Sequence, residues 1–432
     1  MTAGIAATFS SLRVRNYRLF AAGQVVSNTG TWMQRIAQDW LVLGLSHNSG
    51  TALGITTGLQ FLPMLLFGLY GGVLADRYPK RRLLIGAQVA MGVFALVLGV
   101  LDLSGAVQLW HVYLLAFALG LAAVLDTPTR QAFVTELVGP DEVPNAVSLN
   151  SAIFNSARIV GPAVAGVLIN AIGTGWVFVA NAASFVAVIV GLALMRDGEL
   201  FLVARVARAR GELRAGLSYL RRHQELLVPI VLVGVVGTFG LNFQITTALM
   251  AKSVFHRDAV AFALLSTMLA VGSLAGALVS ARRGAPRLRL VFAAALAFGV
   301  LEMAAGLMPT YATFGAMLVP TGAAVLTFTT AANSTVQIGS DPLMRGRVMA
   351  VYVLVFLGGT PLGAPVVGWL AQVAGPRMSI IAGGAICTVA TVALAAWVAH
   401  RRRLHVTAAL RPRPRMAISP VHEAYAGGRP QA

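Results

Sequence analysis

The chain has 432 residues, 57% of them hydrophobic and only 11% charged. Water-soluble domains carry about 25% charged residues, so this deficit, with a mean hydropathy of +0.77, excludes a soluble globule and makes lipid the solvent for much of the surface. The net charge of +18 raises nucleic acid as a partner, but the basic residues sit in short clusters between apolar runs, where loop charge sets membrane orientation. No nucleic-acid partner is expected.

Backbone groups in hydrocarbon need partners within the chain, so spans are helices of about 20 residues or closed barrels of strands. The apolar runs have helical length. They fall near 19–44, 52–75, 83–103, 109–129, 146–170 and 175–195, and, after a polar stretch from Arg196 to Glu225, near 226–250, 259–281, 288–308, 311–333, 348–372 and 378–399. Arg13, Arg15 and Arg18 directly precede the first run, which is expected to stay as an anchor rather than be cleaved.

Alternate loops differ sharply in charge. Of the 33 Lys and Arg residues, 27 fall in the tails and loops of one side, three (Lys252, Arg257 and Arg377) lie opposite, and three (Arg35, Arg130 and Arg158) fall within or at the ends of spans. A wrong count of spans would scramble this asymmetry, which predicts an inner-membrane protein with both termini cytoplasmic.

The two sets of six runs echo each other: Val138-Gly-Pro-Asp141 and Ile338-Gly-Ser-Asp341 each precede a Gly/Pro-rich run. The expected fold is an all-α membrane protein of about 12 transmembrane helices in two six-helix, pseudo-symmetric bundles. Residues 1–195 form the first bundle and 226–400 the second. Residues 196–225 make a cytoplasmic linker, where Leu213, Leu217 and Leu220 at helical spacing suggest a surface-lying helix. Residues 401–432, rich in Pro and Arg, are expected to be a disordered basic tail. The single cysteine, Cys387, excludes a disulfide framework and any multi-cysteine metal site.

Gly72-Val-Leu-Ala-Asp76-Arg77-Tyr-Pro-Lys80-Arg81-Arg82, between the second and third runs, resembles the loop signature of the major facilitator superfamily, Gly-x-x-x-Asp-Arg-x-Gly-Arg-Lys. Gly72, Asp76, Arg77, Lys80 and Arg81 match it, and Pro79 replaces the usual glycine. Gly72 would allow close helix approach, and Asp76 would accept charge-assisted bonds from helix termini or Arg130, forming a latch that breaks as the halves rock. The alternative is an ordinary basic loop. The equivalent Gly276 to Gly284 segment keeps the basic residues and loses the acid.

In the fifth run, Gly161, Pro162 and Gly166 resemble the Gly-Pro motif of the superfamily's antiporters, which implies export. Small residues admit a neighbouring helix and proline bends its own. Pro361 and Pro365 repeat this chemistry in the eleventh run, and a generic kinked helix is the rival reading. Asp126-Thr-Pro128-Thr-Arg130, with the opening Arg15-Asn16-Tyr17-Arg18, resembles the branch holding the enterobactin exporter and macrolide efflux proteins.

Charge inside a span is costly and faces a cavity or a partner. Arg35 and Asp39 lie four apart in the first run, beside Trp32 and Gln38; the readings are a satisfied ion pair, a place near the outer interface, or the proton-coupling site. Asp126 and Arg130 repeat that spacing near the cytoplasmic end, as gate or as site. Arg158 is a third candidate, partnering Asp126 or Asp39 or contacting an anion. Glu302 is placed near the outer surface in a structural role.

The resemblance implies a cavity lined by the first, fourth, seventh and tenth spans. Asn242, Phe243, Gln244, Thr330 and Asn333 would give it an amphipathic lining suited to a bulky, weakly charged organic molecule. The expected activity is proton-coupled efflux of a drug or siderophore by a transporter working as a monomer, with small molecule, protons and lipid bilayer as partners. An importer, or a membrane receptor or scaffold on the same fold, are the alternatives. The sequence has no Walker loop, His-Glu-x-x-His, Gly-x-Ser-x-Gly or clustered metal ligands. Neither an enzyme, a cofactor nor a metal site is expected.

Overall fold

The computed structural model describes residues 9–201, 212–282, 287–401, 404–409 and 415–420. Long helices dominate: α1 (Arg15–Leu45), α2 (Gly50–Arg77), α3 (Lys80–Leu103), α4 (Leu109–Leu137), α5 (Val143–Ile172), α6 (Thr174–Ala193), α7 (Glu212–Arg222), α8 (Gln224–Val235), α9 (Phe243–Leu249), α10 (Ala259–Ala281), α11 (Leu288–Leu307), α12 (Tyr311–Gly339), α13 (Arg345–Ala374) and α14 (Pro376–Arg401). Among the described residues, eleven helical stretches are long and apolar enough to cross a membrane. Helix α1, with 31 residues, has the length but carries Gln24, Asn28, Gln34, Arg35, Gln38 and Asp39, and stands outside that set.

The seventh run is not the single helix its composition predicts. One stretch, Gln224–Val254, is broken into α8, a π-helical turn at Val236–Gly240, α9, and a second π-helical turn at Met250–Val254. Gly234, Gly237 and Gly240 recur every three residues across the break. Each lacks the side chain that would hold the backbone in a regular register. Helix α13 packs there so closely that a Cβ on Gly363 would overlap the Thr238 carbonyl and one on Gly359 would lie 2.6 Å from Gly237. π-turns inside helices concentrate at functional positions.

Several helix ends are punctuated alike. Ser49 caps α2 by accepting from the Ala52 N–H, and Asp258 caps α10 by accepting from the Ala261 N–H. One residue with positive φ, Gly173 at +87° or Gly375 at +91°, separates α5 from α6 and α13 from α14. Such a backbone is open essentially to glycine alone.

Helix pairing follows the small residues. Helix α2 packs on α4 and α13, α5 on α1 and α10, α10 on α12, and α11 on α14. A Cβ on Gly71 would come 2.1 Å from the Val124 carbonyl, and one on Gly276 2.5 Å from that of Ala323.

Two expectations are corrected. The linker helix α7 is more than a surface element: Leu220 is fully buried, Gly216 sits against the Arg347 carbonyl of α13, and the Tyr219 hydroxyl accepts from the Asp341 N–H. In the tail expected to be disordered, Leu404–Ala409 and Arg415–Pro420 pair as antiparallel strands β1 and β2.

Candidate functional site

The centre of the site is built on α1. Arg35 lies with its guanidinium 4.6 Å from the Trp32 ring centre and 5.7 Å from that of Phe61 on α2, while the Arg158 guanidinium of α5 lies 5.9 Å from the Trp32 ring centre. Two guanidinium groups on aromatic rings make a surface that takes flat, electron-rich molecules. Phe154 meets Trp32 edge-on at 5.9 Å, and Gln38 donates to Gln60 of α2 at 3.4 Å.

Asp39 is fully buried, and neither of its carboxylate oxygens has a hydrogen-bond partner. Gln244 of α9 lies against it, with its own Nε2 also unpartnered. The ion pair with Arg35, one of the readings left open by their spacing, is absent: among the described residues no Arg35–Asp39 contact within 4.0 Å occurs. The reason is directional. Helical side chains lean toward the N-terminus, so the long Arg35 reaches back to Trp32 and away from Asp39 one turn later. In Asp126 and Arg130 the order is reversed. Arg130 leans back onto the acid and the pair forms, Nε to Oδ2 at 3.3 Å.

That second pair anchors a network separate from the Arg35 cluster. Gln88 of α3 donates to Asp126 at 2.7 Å, and Arg130 donates to Gln24 and Asn28 of α1 at 3.1 and 3.2 Å. It ties α1, α3 and α4 together. Arg158 forms no ion pair with Asp126 or Asp39 among the described residues, so the partnership expected for it is replaced by the Trp32 face.

In the loop at Asp76, Lys80 forms an ion pair with Glu136 at the end of α4. Arg81 donates to the carbonyls of Leu192 and Ala193 and to Asp197. The basic residues thus close the ends of α4 and α6, while Arg77 is exposed.

The Gly/Pro elements meet across the molecule. A Cβ on Gly161 would be 2.5 Å from Trp32, and one on Gly166 2.7 Å from Ala263 of α10. Pro162 is buried beside them. Near Pro361 and Pro365, a Cβ on Gly54 of α2 would fall 2.4 Å from the Ala364 carbonyl. The Gly50 N–H donates to Gln372 at 2.8 Å, and Asn170 donates to Asp258 at 2.6 Å. The Ala261 N–H and Asn170 hold the Asp258 carboxyl below the usual carboxylate range. Trp40 stacks on Phe262, and Lys252 lies 4.7 Å from the Trp40 ring centre.

The remaining cavity candidates divide. Asn242 and Phe243 are buried at the break between π-turn and helix, where Asn242 donates to the Thr238 carbonyl at 2.7 Å. Asn333 lies beside the Tyr352 hydroxyl of α13, and Thr330 is exposed. Glu302, five residues before the end of α11, is covered by its neighbours. It is 4% exposed, close to Gly383 and Cys387 of α14, with Oε2 unpartnered.

Sequence reasoning missed Phe61, Gln60, Gln24, Asn28 and Gln88. Gln24 and Asn28 carried a readable signal, two amides four apart on one face, and Gln88 was a lone amide in an apolar run.

A family model described as transmembrane secretion effector matches residues 6–428. The staphyloferrin A transporter of Staphylococcus aureus is 28% identical over 255 residues, 58% of this chain and 63% of that protein. Macrolide efflux protein A of Streptococcus pyogenes is 25% identical over 311 residues, 70% and 75% of the two chains. A solved bacterial homolog of the human lysosomal transporter Spinster, inward-facing and occupied, superposes with a TM-score of 0.70 at 16% identity, covering 90% of this chain and 97% of that one. It shares the fold. The chain is a multi-pass cell-membrane protein of the transmembrane secretion effector family, within the branch of the major facilitator superfamily that includes macrolide efflux and siderophore transporters.

Proposed function

We propose that this protein is a proton-coupled exporter of a bulky amphipathic organic molecule, a drug or siderophore, working as a monomer by alternating access. In this reading twelve spans form two six-helix bundles, residues 1–195 and 226–400, joined by 196–225. Both termini are cytoplasmic, on the side carrying 27 of the 33 basic residues. The contacts Gly50–Gln372, Gly54–Ala364, Gly166–Ala263 and Asn170–Asp258 close the outer end, leaving the site to open inward.

The observation that carries the reading is Asp39: a fully buried acid with both oxygens unpartnered, between one bundle's Arg35 and the other's Gln244. A carboxylate left unpaired in such a place costs several kcal/mol, so a proton, or a cationic group of the substrate, must meet it in each state of the cycle. Competition between the two supplies coupling. Trp32, Phe61, Arg35 and Arg158 supply the surface for the substrate's aromatic or anionic parts, leaving its cationic group to Asp39. The relatives named for macrolide efflux and staphyloferrin A transport favour an organic substrate of that size class.

The test is flux from proteoliposomes holding the protein under an imposed pH gradient, with a panel of macrolides and carboxylate siderophores. Wild type should move at least one class uphill, whereas Asp39→Asn should bind it and exchange it without accumulation. Flux that ignores the gradient would remove the antiport proposal.

A further inference from the structure

A cavity of about 390 Å³ opens on the basic face, between α8, α11 and α14 and away from the Arg35 site. We infer that it is a binding site for the headgroup of an anionic phospholipid, recognised through a monoanionic phosphodiester. The inference concerns the bilayer partner and is independent of what is transported.

Arg222, at the end of α7, and Arg401, at the end of α14, line the cavity together with the single carboxylate of Glu225, leaving one net positive charge. Gln224 and Leu288, also in the lining, are the first residues of α8 and α11. Neither helix start is capped by a side chain, so the positive ends of two helices border the same space. Free N–H groups and the helix dipole favour a phosphate oxygen. The arginines add planar donor forks that match it.

The remaining walls point to a lipid rather than a free anion. Val228, Leu288 and Val398 form an apolar side, continuous with the packed faces of α11 and α14. Trp397, 37% exposed, stands one turn inside the end of α14, the depth at which tryptophan marks the membrane interface. The Arg401 guanidinium lies over its ring at 5.1 Å, which holds the charge at headgroup level. A single net charge suits a phosphodiester better than the dianion of inorganic phosphate. Choline cannot replace the arginines' partner, because it brings a second positive charge into a positive cavity.

Native mass spectrometry of the full chain in detergent tests this with palmitoyl-oleoyl phosphatidylglycerol, the matching phosphatidylcholine and inorganic phosphate. Wild type should retain phosphatidylglycerol over phosphatidylcholine. Arg222→Ala/Arg401→Ala should lose about tenfold in occupancy, Arg222→Lys/Arg401→Lys should keep most of it, and Arg82→Ala, on another basic loop, should change nothing. Excess inorganic phosphate should leave the lipid bound. Equal retention by wild type and the double alanine variant, equal retention of the two lipids, or displacement by inorganic phosphate would each overturn the assignment, the last by making it a free-phosphate site. Thermal midpoints measured on the same samples confirm that the variants are folded.

Discussion

Replacing Arg130 with glutamine should cost far more when Asp126 is present than when it has been neutralised. The Asp126 side chain is 7% exposed and that of Arg130 18%, so the pair is nearly dry. Removing the cation strands a carboxylate whose other partner is Gln88, and also withdraws donors from Gln24 and Asn28. Breaking a buried pair from one side costs about 3–5 kcal/mol; the lower figure suits a pair with some solvent access. At roughly 2 °C per kcal/mol for a large chain, Arg130→Gln should lower the detergent thermal midpoint by about 6 °C. Asp126→Asn should cost less, since an amide still accepts from Gln88 and Arg130 keeps the α1 amides. The double variant should be more stable than Arg130→Gln alone, a coupling of about 1–3 kcal/mol. Fluorescence-detected size-exclusion melts of the four proteins give the cycle. Additive losses would show that the pair is incidental and that the network's worth lies in the amides.

Cysteines at Asn170 and Asp258, in a Cys387→Ser background, should cross-link under mild oxidation and, with this contact as the outer gate of the proposed cycle, abolish transport reversibly, because their side chains meet at 2.6 Å; full activity of the cross-linked protein would mean that this end never opens. The same contact sets a pH dependence. Its bonds depress the Asp258 carboxyl, so its contribution is complete above the ordinary carboxylate range and is lost as pH falls through the lowered folded value. Outer-side labelling of a cysteine near Trp40 should therefore rise only in strong acid, and a rise near neutrality would contradict the assignment. Glu302→Gln should leave the thermal midpoint unchanged or raised, since the acid is buried without a charged partner and neutral replacement of such a group is often stabilising. A clear drop would reveal a partner on the π-turn or α14.

The helices and the small residues that let them approach were readable because lipid imposes length and apolarity on each span, and because Gly161, Gly166 and Pro361 have packing roles close to those their chemistry suggests. The break in the seventh run was not read. Its glycines look ordinary in a membrane helix, and the π-turns depend on the fit of α13 against Thr238. The site was half legible. Arg35, Asp39, Arg158 and Trp32 stood out as charge and aromatic in apolar runs, yet spacing alone left the pairing of Arg35 with Asp39 open. The direction in which a helical side chain leans decides against it, and the same rule makes Asp126–Arg130 the real pair. Phe61 went unnoticed because one phenylalanine among many apolar residues carries no local mark. The burial of Glu302 was not read, because position along a span fixes depth and says nothing about which neighbour covers the side chain.

Proton release on substrate binding tests the central claim most directly. With detergent-purified protein in weak buffer above neutral pH and a transported compound from the panel, a pH-indicator dye should report about one proton released per wild-type molecule and none from Asp39→Asn, with binding retained in both. Equal release from the two proteins would move the coupling away from Asp39 and contradict the account.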